Sequence, residues 1–293
     1  MAFVERNFIL DSYGDINSHI RFFNTFENWD DFSYSYAMFN SQLAFRYIIL
    51  ICREIFNQST LTILGYISFL TSSAFCFLII REIRSRKYLL YLLLLLLMVL
   101  FTPRVINLFV HGTRSGIAFT ILIVAIMYLK GTKQYALFAV STMIHLSMLP
   151  FISLYFLYYV FNNRIKKSFL TSLFILIVCS FFFAMIAPAF YYSEGVNQSI
   201  LYMSAVFYVG LLTIFSNKNG IKNLYGFMAA GSILIIFFGY TIDFSFIRYI
   251  GNAIVLYLLF LVKEGEIRNI QVFTISYVPF FILTSYYSIA NYW

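Results

Sequence analysis

From residue 60 to the C-terminus the chain alternates long apolar runs with short polar connections. A hydrocarbon core about 30 Å thick is crossed by roughly 20 helical residues, fewer where helices are broken or sit within protein. Laid along the chain, that ruler predicts ten spans, over residues 60–80, 88–103, 115–129, 134–149, 151–163, 168–187, 198–215, 224–241, 247–262 and 269–290. Residues 134–163 form one apolar stretch with Pro150 in its middle, and Lys133 and Lys166 stand at its ends. If both lysines lie on one side, a single crossing fails. A proline that removes a helical hydrogen bond then predicts a broken hairpin with its tip near His145 and Pro150. The alternative is one long tilted helix.

The connections carry a sided charge pattern. Arg81, Arg84, Arg86 and Lys87, then Lys130 and Lys133, then Arg164, Lys166 and Lys167, then Lys218 and Lys222, then Lys263 and Arg268 occupy alternate loops. That set holds 13 of the 20 basic residues and every lysine. Positive charge marks the cytoplasmic side, so the intervening loops, with Glu194 and Asp243, face outward. Residues 1–56 add Glu5, Asp11, Asp15, Glu27, Asp30, Asp31 and Glu54 against four arginines and are placed outside as well. No basic segment followed by an apolar one opens the chain, so no signal peptide is read there. Residues 37–56 suit an outer interfacial helix. The expected organisation is an extracytoplasmic segment over 1–56 and a transmembrane helical domain over 57–293.

Composition strengthens this picture. Hydrophobic residues make up 61% and charged residues 11% of 293, far from the soluble average of about half and a quarter. The expected class is all-α: a polytopic integral membrane protein of about ten transmembrane helices, with an outward-facing cavity. The net charge of +8 comes from the loop clusters, which membrane orientation explains better than nucleic acid does. Cys52, Cys76 and Cys179 stand apart in apolar surroundings and read as small core residues.

No nucleotide-binding glycine loop, nucleophile elbow, H-E-x-x-H or D-x-D occurs, so neither a nucleotide nor a metal cofactor is expected. Ionisable residues in or near the spans are then the informative signal, because each is expensive in a bilayer. Arg104, Arg114 and Arg248 flank or enter spans on the outward side, against the charge rule. An outward anionic ligand accounts for them, and guanidinium groups bind phosphate bidentately. In the segment PRVINLFVHGTRSGIAFT, Arg104, Asn107, His111 and Arg114 share one face if the segment is a single helix. Alternatively, Gly-Thr-Arg-Ser-Gly separates two short helices, and the polar stripe does not form. His145, five residues before Pro150, is a candidate general base or hydrogen-bond donor. Asp15, in DSYGDINSH, is a candidate carboxylate for activating a hydroxyl. Two N-x-S sequons, at Asn57 and Asn197, fall on the outward side.

These pieces resemble the EpsG-like, Wzy-type exopolysaccharide and O-antigen polymerases. In that family an Asn-x-x-Arg-x-Gly-x-Ala pattern is followed some thirty residues later by a histidine in an apolar run. VHGTRSGIA supplies Arg114, Gly116 and Ala118, and His145 stands 31 residues after the arginine. YGDINSH approximates the early Gly-x-Asp-Tyr element, with Asp15 at the acidic position, and Arg248 in FIRYIGNA resembles a late arginine at the head of a span. The chain departs from the pattern at His111, where Asn is usual, at Ile16, where Tyr is expected, and in lacking a hydrophobic first helix.

The resemblance implies a metal-independent enzyme of the bacterial cytoplasmic membrane, acting on its outer face. It would polymerise undecaprenyl-pyrophosphate-linked oligosaccharide repeat units into a surface polysaccharide, alongside a flippase and a chain-length regulator. Arg114, Arg104, Arg248 and His111 would bind the pyrophosphate, and His145 or Asp15 would take the acceptor proton. The competing readings are a flippase for lipid-linked oligosaccharide and a membrane acyltransferase that modifies glycans.

Overall fold

The computed structural model describes residues 43–84, 88–106, 108–109, 112–164, 169–186, 220–241, 249–264 and 266–290. The described residues are almost entirely helical (93%), with no strand among them. The helices are α1 (Leu43–Phe56), α2 (Thr60–Arg84), α3 (Leu89–Leu100), α4 (Pro103–Ile106), α5 (Thr113–Tyr128) and α6 (Thr132–Ile144). After a 3-10 turn at Leu146–Met148 come α7 (Leu149–Arg164) and α8 (Phe169–Ile186). A second 3-10 turn at Gly220–Lys222 leads into α9 (Leu224–Thr241), followed by α10 (Tyr249–Glu264) and α11 (Ile267–Ala290). Every expected span except 198–215, which lies outside the described residues, coincides with a helix to within a few residues.

Among the described residues, two helices are long and apolar enough to cross a membrane: α2 over Thr60–Ile83 and α9 over Leu224–Thr241. Leu89–Leu100, Thr113–Tyr128, Leu146–Val160 and Thr171–Ile186 are shorter apolar helices. Length and composition thus identify two crossings among the described residues, against the ten expected of the whole chain. A helix of 16 residues, such as α5, spans only about 24 Å.

Local chemistry sets the boundaries. Asn57 adopts a positive φ of 48° just after α1, a left-handed position that asparagine tolerates and that ends helices. Two residues on, Ser59 Oγ accepts the Thr62 amide at 3.2 Å and caps α2. The sequon at Asn57 thus doubles as a helix stop and a helix start. The expected break in 134–163 is present and begins at His145, whose backbone is extended (φ −151°, ψ 115°). Pro150 then sits in the first turn of α7, where its missing N–H leaves no helical acceptor unfilled. A single long helix is excluded. The three cysteines are unbridged and half-buried, less enclosed than core residues.

The chain forms two compact units, Met1–Phe75 with Asn107–Met148, and Cys76–Ile106 with Leu149–Trp293. In the first, α5 and α6 pack on each other, α1 packs on α6, and Phe45 and Ile49, one turn apart on α1, are fully buried. In the second, α9 packs against α7, α8 and α10. Every residue of α10 from Tyr249 to Val262 is buried, as expected of a helix that is apolar all round.

Candidate functional site

Within the first unit the site grows from a tight turn. Gly131, between α5 and α6, has φ 65° and ψ −142°, a backbone state closed to most residues with a side chain. The turn folds α6 back along α5, and two side-chain bonds record the pairing. Gln134 Nε2 donates to the Ala125 carbonyl at 3.0 Å, and Ser141 Oγ donates to the Ala118 carbonyl at 2.8 Å. Moving from the first bond to the second advances α6 by as many residues as it retraces α5, so the helices run antiparallel in one register. One further turn on each helix, about 6 Å on, leads from Ser141 to His145 and from Ala118 to Arg114. Residues four apart share a helix face, so Arg114 lies on the face of α5 that meets α6. The two residues singled out by sequence spacing therefore stand at one level, at the open end of the hairpin. The 3-10 turn after His145 also packs on α5.

The Arg-x-Gly-x-Ala motif acquires a physical reason at each position. Arg114 is 6% exposed, in the first turn of α5. A Cβ at Gly116 would lie 2.8 Å from the Leu108 carbonyl oxygen and 3.1 Å from Phe109 Cα, so the preceding chain folds back directly over this position. Ala118 is fully buried, and its small side chain leaves its carbonyl open to Ser141. Neighbouring contacts hold the fold-back in place. Phe109 packs on Phe75 of α2 with ring centroids 4.8 Å apart and planes tilted by 33°, and Thr113 Oγ1 lies 3.0 Å from Ser68 Oγ.

This geometry decides between the two readings of residues 103–120. Leu108 and Gly116 would be about 12 Å apart along a continuous helix, yet here their backbones touch. The single helix over 103–120 is overturned: Arg104 and Arg114 belong to separate helices, and Asn107 lies outside the described residues. Helix α4 ends at Ile106, and Gly112 (φ −93°, ψ 50°) precedes α5. Arg104 lies in α4, and its side chain is outside the described residues, as are Asp15, His111 and Arg248 entirely. Of the candidate residues, Arg114 and His145 are the two that the register of the hairpin sets at one level.

His145 is half-buried, and its Nδ1 accepts the Ser147 backbone amide at 3.1 Å. Sequence reasoning also missed Asn252 in the second unit. Four residues beyond Arg248 and 2% exposed, it carries a buried Nδ2 with no hydrogen-bond partner among the described residues. A buried amide without a partner costs about 1–3 kcal/mol. Asn252→Leu, which keeps the branching at Cγ and removes both polar atoms, is expected to raise the thermal unfolding midpoint of the detergent-solubilised protein. A lowered midpoint would show that the amide has a partner.

Compared with known protein families, with characterised proteins and with solved structures, the chain matches none.

Proposed function

We propose that this chain is a polytopic bacterial cytoplasmic-membrane enzyme that polymerises lipid-pyrophosphate-linked oligosaccharide repeat units on the outer face. The observation that carries the reading is the common level of Arg114 and His145 on the α5–α6 hairpin, within a motif whose glycine and alanine serve close packing.

Two features support the membrane setting. Large apolar side chains face outward on several helices, among them Phe69, Leu70 and Phe77 on α2, Leu90 and Leu94 on α3, Phe174 and Phe182 on α8, and Ile275 and Ile282 on α11. In water such surfaces would be unfavourable, and lipid accommodates them. Second, contacts within the second unit pair positions that the charge rule puts on one side. Lys263 Nζ donates to Glu82, Asn223 Nδ2 donates to Glu264 at 2.8 Å, and the Tyr158 hydroxyl donates to the Lys222 carbonyl at 2.8 Å. These join the ends of α2, α7, α9 and α10 that carry the cytoplasmic lysines and arginines. Phe151 and Tyr249, 5.2 Å apart, join the opposite ends of α7 and α10.

In the proposed reaction the acceptor hydroxyl oxygen attacks the anomeric carbon of the donor sugar and the bond to phosphate breaks. The lipid pyrophosphate leaves with the electron pair, and the hydroxyl proton passes to a base. Negative charge grows on the leaving pyrophosphate, where the Arg114 guanidinium stabilises it by a bidentate, charge-assisted contact.

The test is the length distribution of surface and lipid-linked glycan in a deletion strain complemented with wild type or Arg114→Ala. The expected result is single repeat units persisting on the outer face in both the deletion and the Arg114→Ala strain. Units stranded inside would indicate a flippase and unchanged chain length an acyltransferase, and either overturns the proposal.

A further inference from the structure

Native folds pair the great majority of their buried polar groups, so an unpaired donor asks for an acceptor from elsewhere. Asn252 carries such a donor: it is 2% exposed, and its Nδ2 has no hydrogen-bond partner among the described residues. It is the fourth residue of α10 (Tyr249–Glu264). The Cα–Cβ bonds of a helix tilt toward its N-terminus and side chains lean back the same way, so the amide is aimed at the opening turn. There the N–H groups of Tyr249, Ile250 and Gly251 precede the first intrahelical hydrogen bond and have no acceptor within the helix. Those groups and the helix dipole favour an anion, and Asn252 adds its amide protons on the same side.

The neighbour of this turn is α4. Both α3 and α4 pack on α10. Lys263, near the far end of α10, is paired with Glu82, shortly before α3 begins. From that level the 12 residues of α3 rise about 18 Å, and Asn252 stands about 17 Å along α10 from Lys263, so α4 arrives beside the opening turn. Thr102 fastens it there. Its Oγ1 gives its proton to the Met98 carbonyl at 2.9 Å, so the Tyr277 hydroxyl of α11 donates to Oγ1, while the Thr102 carbonyl accepts the Val105 and Ile106 amides. Arg104 is the second residue of this held segment. Neither α3, α4 and α9, which pack on α10, nor α10 itself as far as Val262 contains Asp or Glu, so these helices set no carboxylate against an incoming anion.

We propose that the opening turn of α10 is an oxyanion site, in which Asn252 Nδ2 and the first backbone N–H groups hold a phosphate oxygen. Its assignment to substrate rests on the lipid-pyrophosphate reading above, under which that oxygen belongs to a lipid-linked pyrophosphate. Asn252 is then a binding residue contributed by the second unit. A free inorganic anion presents the same oxygen, and the test separates the two sources.

Binding is followed through the unfolding midpoint of the detergent-solubilised protein, titrated with undecaprenyl pyrophosphate, undecaprenol or inorganic pyrophosphate. Wild type is compared with Asn252→Leu, which removes the donor, and with Asn252→Asp, which keeps the shape and replaces the donor by a carboxyl oxygen. Each is also made in an Arg114→Ala background, so that binding at the hairpin does not mask a loss. Undecaprenyl pyrophosphate is expected to raise the wild-type midpoint and undecaprenol to leave it unchanged. Both variants are expected to bind about tenfold or more weakly, the scale of a hydrogen bond to a charged group. Asn252→Leu should combine that loss with a higher midpoint in the absence of ligand, a pairing that a purely structural amide would not show. Unchanged affinity in both variants, or no stabilisation of the wild type by either pyrophosphate, would overturn the site. So would a lowered ligand-free midpoint in Asn252→Leu, which means an acceptor within the chain. Inorganic pyrophosphate bound as tightly as the lipid, and lost with Asn252, would keep the oxyanion site and remove the lipid as its source. Unchanged glycan length in Arg114→Ala would sink the polymerase reading and leave Asn252-dependent binding standing.

Discussion

Gly116→Ala is expected to destabilise the protein by about 1–3 kcal/mol, the range for forcing an extra methyl group into a packed site, and to cut polymer formation at least tenfold. The added Cβ would meet backbone: the Leu108 carbonyl oxygen at 2.8 Å and Phe109 Cα at 3.1 Å. Backbone cannot rotate aside. Relief requires residues 108–109 to lift off α5, and the Phe109–Phe75 contact and the start of α5 at Thr113 and Arg114 move with them. Gly231 supplies the control. There a Cβ would come within 2.6–3.0 Å of Leu154 and Leu176, but the atoms met are Cδ methyl groups at the ends of flexible side chains. A helical glycine also costs about 1 kcal/mol relative to alanine, which offsets the repacking. Gly231→Ala should therefore leave the unfolding midpoint in detergent nearly unchanged, whereas Gly116→Ala lowers it clearly. Equal midpoints would remove the fold-back over α5 as the reason for that glycine.

Arg114→Lys is expected to lose polymer roughly 100-fold while protein in the membrane stays at the wild-type level. Lysine keeps the charge and replaces a planar five-donor fork by a point cation, and phosphate recognition by a fork is bidentate. The burial of Arg114, 6% exposed, sharpens the distinction. In a site shielded from water a hydrogen bond to an ionised group counts for more, and a strongly hydrated ammonium is harder to place. The measurement is chain length by gel electrophoresis of surface glycan, with Arg114→Ala beside it. Near-normal polymer in Arg114→Lys would show that charge alone suffices there.

Much of the helical layout was legible in the sequence because apolar runs and basic connections report it independently. The run 224–241 matches α9 end for end, and 168–187 matches α8 to within a residue at each end. The break at 145–150 was legible too, since Pro150 and the flanking lysines asked for it, although the chain leaves the helix five residues before the proline. The course of residues 103–112 was not. Periodicity let Arg104, Asn107, His111 and Arg114 share a helix face, while glycines at 112 and 116 were equally compatible with a break. What separates the two is a tertiary contact, the Leu108 backbone lying on Gly116, and spacing along the chain does not encode it. Asn252 escaped notice for a related reason. One amide in an apolar helix looks ordinary until its surroundings are known to offer Nδ2 no acceptor.

The Gly131 turn lies at the opposite end of α5 from Arg114, about 24 Å away along the 16-residue helix. It is nevertheless what sets His145 at the level of Arg114, because antiparallel helices joined by a short turn have little freedom to slide. One residue inserted into that turn would carry the imidazole about 1.5 Å along the hairpin and about 100° around its axis, away from the guanidinium. The hairpin thus works as a calliper whose jaws are set at its hinge, and the accuracy of the candidate site is kept by a glycine at the other end of the hairpin.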